Sequence, residues 1–152
     1  MLATTMRYYH GTFFDLDRFP DDPLSVYGDG GVSLSTHEPL ARCYGDHLAV
    51  VDIPAGLLKL FLVSAYEWFS VTDSRIAELE AEGYDGIAVA GDVNFNSDPD
   101  DDFQPEDATF FWSWVLVWNT RLLNQHLIEV RAAPLCMFED LPEVVARGVL
   151  AA

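Results

Sequence analysis

With 152 residues, half of them apolar and 13% aromatic, the chain has the size of one domain and is too hydrophobic to be a disordered polypeptide. Eight basic residues against 25 acidic ones give a formal charge of −17, and Lys59 is the only lysine. Such a surface repels phosphate backbones, which argues against direct DNA or RNA binding. It suits either a basic protein partner or a simple solubilising role. Cys43 and Cys136 are too few for a disulfide framework, and no apolar run approaches the ~18 residues of a membrane span. The expectation is a soluble, cytoplasmic protein, a single domain over 1–152 with its core at about 6–131.

In chain order, residues 6–10 read as a short strand ending at a Gly-Thr step, and the prolines and glycines of 20–31 as a loop. Val32 to Ser35 is a second strand. Thr36 is placed to cap a following helix, with Pro39 in its first turn and Gly45 closing it. His47 to Ile53 and Leu57 to Val63 are strands. Asp73 to Glu82 is the clearest helix, with Asp73 or Ser74 as cap, Ile76 and Leu79 as buried face and Gly83 as stop. Tyr84 to Ala90 is a strand, and 91–107 an acidic loop. Thr109 to Trp118, apolar almost throughout, reads as a strand covered on both faces. Leu127 to Arg131 is the last strand, and 139–150 a terminal helix begun by Pro142. Seven strands and three helices without regular alternation predict an α+β fold.

Four blocks carry chemistry. In Tyr9-His10-Gly11-Thr12 an imidazole ends a strand, where it would ordinarily face solvent, and the glycine lets a planar ligand approach the backbone. Gly31-Val32-Ser33-Leu34-Ser35-Thr36 leads to Tyr44, whose ring suits either stacking on an aromatic ligand or core packing. Glu80 to Ile87 is a helix end turning into a strand, structural when taken alone. Trp114 to Asn119 leads on to Leu127 and Ile128. Two metal readings fail. Asp98, Asp100 and Asp102 imitate a calcium loop, but Phe103 and Thr109 stand where its glycine and closing glutamate belong. His37, His47 and His126 lack zinc-ligand spacing with the cysteines.

In this order the blocks resemble the diphtheria-toxin and poly(ADP-ribose)-polymerase branch of the ADP-ribosyltransferases. They are also similar to small phage and bacterial members with a Tyr-His-Gly-Thr start and a Gly-Tyr-Asp-Gly turn, an anti-CRISPR ADP-ribosyltransferase among them. The resemblance spans about residues 7–130. It implies two antiparallel sheets with flanking helices and NAD, as substrate, between them. It implies that His10 hydrogen-bonds the adenosine ribose, that the Gly11 backbone pairs with the nicotinamide amide beside Thr12, and that Tyr44 stacks on the nicotinamide ring. Ser33 and Ser35 would line the ribose. The implied activity is mono-ADP-ribosylation of a protein target, by an effector, toxin or anti-defence protein acting in a bacterial or host cytoplasm.

Two positions depart from the pattern. Ser33 replaces the tyrosine of the branch's His-Tyr-Glu triad, and a gapless match at Asn119 puts Trp114 in place of the catalytic glutamate. A tryptophan cannot accept the charge-assisted hydrogen bond that the carboxylate makes. The substitutes are Glu106 and Asp107, just before the strand, and Asp92, with Glu106 preferred. These departures keep a second reading open: an inactive transferase fold whose acidic surface occupies a basic partner. An RNA-end-modifying relative is disfavoured by the charge.

Overall fold

A computed structural model describes residues 4–22, 30–64, 67, 70–93 and 110–137, with the backbone alone at 64, 90–93 and 110–114. Seven strands and three helices make up these parts: β1 (Thr5–Thr12), β2 (Val32–Ser35), α1 (Glu38–Arg42), β3 (His47–Pro54), β4 (Leu60–Ser64), α2 (Asp73–Ala81), β5 (Gly86–Val93), β6 (Phe110–Val117), α3 (Thr120–Gln125) and β7 (Leu127–Ala132). The fold is α+β. No helix among the described residues is long and apolar enough to cross a membrane.

The strands form one mixed sheet in the order β4-β5-β6-β2-β1-β3-β7. This corrects the expectation of two separate antiparallel sheets. The halves β4-β5-β6-β2 and β1-β3-β7 are joined where Tyr9 pairs with Ser35, the single register position linking β1 to β2. By contrast, β1 pairs with β3 along its whole length, from Thr5 opposite Pro54 to Thr12 opposite His47. The β4–β5 pair is parallel. A parallel pair needs a crossover, and α2 lies in that connection.

Strand alternation sends Tyr8, Val32, Leu34, Ala49, Val51, Ile53, Val115 and Val117 to one face, where Phe19 and Leu123 complete the main core. The opposite face is covered in two places. Ala41 of α1 packs on Leu48, Val50 and Ala133, and Leu79 of α2 packs on Val63, Ile87 and Val89. Val115, Leu116 and Val117 are buried in succession, as a strand covered on both faces requires.

Several helix ends differ from expectation. Thr72, rather than Asp73 or Ser74, caps α2, its Oγ1 accepting the Arg75 N–H at 3.1 Å. Its extended backbone puts the hydroxyl over the first turn. Gly83 does stop α2 at φ +92°: its N–H donates to Glu80 O, and the Tyr84 N–H donates to Leu79 O. At α1 the cap position is His37 rather than Thr36, and Ser35 Oγ accepts the His37 N–H at 3.0 Å. Gly45 is not a left-handed stop. Its Cα lies against the Thr12 carbonyl, where an added Cβ would come within 2.0 Å of backbone. The third helix is α3, begun by Asn119, and the expected helix at 139–150 lies outside the described residues.

Candidate functional site

The hydrogen-bond phase of β1 determines what the His10-Gly11 step presents. The Ala55 N–H donates to Thr4 O, so the even-numbered residues of β1 direct their N–H and C=O groups to β3. Tyr9 and Gly11 therefore direct theirs to the β2 side. Tyr9 meets Ser35 there. Continued in register, Gly11 would meet Ser33, but the ladder stops at Tyr9. Among the described residues no strand pairs with Gly11 on that side, so its N–H and C=O point together into the divergence between β1 and β2.

His10 spans that divergence. Its Nδ1 lies 2.7 Å from the Ser33 carbonyl oxygen. A carbonyl only accepts, so Nδ1 carries the proton and Nε2 is the lone-pair nitrogen of the neutral ring. The side chain is 7% exposed, which corrects the expectation of a solvent-facing histidine. The cause is tertiary: the Phe19 ring meets the imidazole edge-on at a centroid distance of 5.6 Å. Burial pushes the His10 pKa below its ordinary value, partly offset by the Ser33 carbonyl, which favours the charged form.

Phe19 is itself held by a residue far along the chain. The Phe19 N–H donates to Asn124 Oδ1 at 2.7 Å, and Asn124 Nδ2 donates to Phe19 O at 3.0 Å. Sequence reasoning missed both residues. The pairing links positions 105 apart, and neither residue sits in a motif.

The opposite wall comes from α1 and the turn after it. The Ala41 carbonyl accepts the Tyr44 N–H at 3.1 Å and lies over Gly11, where an added Cβ would come within 1.7 Å of it. That Cβ would stand 3.5 Å from Tyr44 Cβ, so Tyr44 flanks the Gly11 backbone. Tyr44 is 58% exposed, so it is not a core residue. Burial of the hydroxyl's surroundings, reinforced by Cys43, raises its pKa. Thr12 is buried, and its Oγ1 accepts the Phe14 N–H at 3.0 Å, turning the chain so that Phe13 and Phe14 stand exposed. Two aromatics directly after the strand were the available signal for this apron.

Ser33 and Ser35 lie on the sheet face that carries Gly11 and α1. Ser33 is exposed, and Ser35 is buried with its Oγ engaged at His37. No family model, curated protein or solved structure matches the chain. Glu106 and Asp107 lie outside the described residues. Asp92 and Trp114 are described by backbone alone, opposite Phe111 and Ser35 respectively.

The Gly-Tyr-Asp-Gly turn and Asn119 form a separate structural knot. Asp85 Oδ2 accepts the Lys59 N–H at 2.8 Å, while its Oδ1 accepts from Asn119 Nδ2 at 2.8 Å. Trp118 Nε1 donates to Tyr84 O at 2.6 Å. Beside it lies a concavity of about 430 Å³ lined by Tyr84, Asp85 and Arg121. A second, of about 270 Å³, is lined by Phe61, Arg75 and Leu79. Neither includes His10 or Tyr44.

Proposed function

We propose that the chain is an NAD-dependent mono-ADP-ribosyltransferase acting on a protein target, with an ADP-ribosyltransferase-like fold. The observation that carries this reading is the Gly11 edge: a buried glycine whose N–H and C=O are directed together into the divergence of β1 and β2, flanked by the exposed Tyr44. A primary carboxamide on a flat ring is the complement of that pair, its C=O accepting from the Gly11 N–H and its NH₂ donating to the Gly11 C=O. The pyridinium then lies against Tyr44. The neutral His10, bonded through Nδ1 to the Ser33 carbonyl, fixes β2 beside that edge; its Nε2 is buried, so a ribose hydroxyl would reach it only after the ring turns.

In this reading the bond between nicotinamide and ribose breaks, and the electron pair leaves with nicotinamide. The positive charge that develops at the anomeric carbon is met by a carboxylate from Asp92, Glu106 or Asp107, Glu106 preferred. The electron pair of a nucleophilic side chain on the target, basic given the charge of −17, closes the new bond. Purified chain, NAD and candidate basic proteins are mixed, and nicotinamide release and target mass are followed. Glu106→Gln is expected to lower release about a hundredfold with little change in NAD affinity. If Asp92→Asn, Glu106→Gln, Asp107→Asn and their triple combination all turn over NAD like the parent, the loop acid is wrong.

Trp114 in the gapless place of the glutamate, and Ser33 in that of the tyrosine, favour a second reading, an inactive transferase-like module that occupies a basic partner. Tight partner binding with no nicotinamide release would establish it.

A further inference from the structure

The chain leaves β7 and crosses the end of α1. The Ala133 N–H donates to Asp46 O at 2.9 Å, and the Cys136 N–H donates to Arg42 O at 3.1 Å. That second bond places Cys136 beside the residue preceding Cys43; the Cys43 thiol donates to Pro39 O at 3.4 Å and the Cys136 thiol to Met137 O at 3.7 Å, so each must turn from its carbonyl to meet the other. Both are reduced: Cys43 is half-buried and Cys136 buried. Tyr44 follows Cys43 directly in the turn after α1.

We propose that Cys43 and Cys136 are a disulfide site, closed by a small-molecule disulfide such as oxidised glutathione, which fastens the segment after β7 to the end of α1 beside Tyr44. One protein thiolate attacks a glutathione sulfur and breaks its S–S bond, releasing one glutathione and leaving a mixed disulfide. The second thiolate attacks the protein sulfur of that mixed disulfide and expels the other glutathione. Two electrons pass from the cysteine pair to the reagent, and the two protein protons end on two glutathione thiols. The inference is independent of the transferase reading.

The surroundings set the rate. Burial, together with the neighbouring Cys136, pushes the Cys43 thiol up to about 12, so Cys43 stays protonated at neutral pH. Attack by Cys43 is therefore slow and accelerates with alkalinity, by roughly tenfold per pH unit while that thiol stays mostly protonated.

The test incubates the full folded chain with oxidised glutathione at neutral and mildly alkaline pH, followed by non-reducing peptide mapping and melting curves. Cys43→Ser and Cys136→Ser are the controls. The expected result is a monomer with one peptide pair joining residues 43 and 136. A melting temperature raised by roughly 5–15 °C is also expected, reversed by dithiothreitol and absent in both variants. Stable glutathione adducts on each cysteine, disulfides between chains, or two thiols still alkylated after exposure would each overturn the proposal. A cross-link that lowers the melting temperature would overturn it as well, because it would not fit the native geometry.

Discussion

Gly11 and Tyr44 are where single atoms decide what the site can hold. A methyl group at position 11 would overlap the Ala41 carbonyl, which cannot move without shifting α1. Gly11→Ala is thus expected to lose about 1–3 kcal/mol of stability, read by urea unfolding, and to abolish NAD binding, read by calorimetry. Tyr44→Phe keeps the ring and is expected to keep NAD affinity. Tyr44→Ala is expected to lose about 1 kcal/mol or more of it, with little change in unfolding midpoint because the ring is already exposed. A Tyr44→Ala protein that melts lower yet binds NAD like the parent would place the ring in packing rather than recognition. The glycine's use in close approach was legible from the His-Gly-Thr step. The partner of that approach, a carbonyl 30 residues downstream, was not, because periodicity says nothing about which helix end lands on which strand.

At the scale of elements, the clamp between Asn124 of α3 and Phe19 supports the imidazole from behind. Asn124→Ala leaves a partly buried N–H and C=O without their partners. It is expected to cost about 1–3 kcal/mol in chemical denaturation, and to loosen His10 enough to weaken NAD binding as well. Unchanged stability would mean that water replaces the clamp. All seven strands were legible from apolar runs punctuated by glycine and proline, and Asp73 to Glu82 from its spacing and Gly83. The six-residue α3 is not legible in the sequence because it is shorter than two helical turns and its cap, Asn119, also ends the apolar 114–118 run.

Across the whole molecule, the buried neutral His10 ties fold stability to pH. Its pKa in the folded chain lies below the ordinary imidazole value of 6.5, so the unfolded chain takes up the proton first as the medium is acidified. Its contribution to stability is complete above that ordinary value and is lost as the pH falls through the lower, folded value. The melting temperature of the parent is expected to fall more steeply than that of His10→Gln between neutral and mildly acidic pH. Parallel curves for the two proteins would place His10 in contact with solvent.

The sequence by itself determined the strands, the α+β class, the charge and the residues worth testing, because local spacing and composition report directly on burial and turns. Only the tertiary structure decided that the two halves form one sheet joined at Tyr9 and Ser35, and that His10 is buried against Phe19. It also decided that the Ala41 carbonyl and Tyr44 lie over Gly11. Those outcomes depend on hydrogen-bond phase and on contacts between residues far apart in the chain, and neither leaves a trace in local sequence pattern.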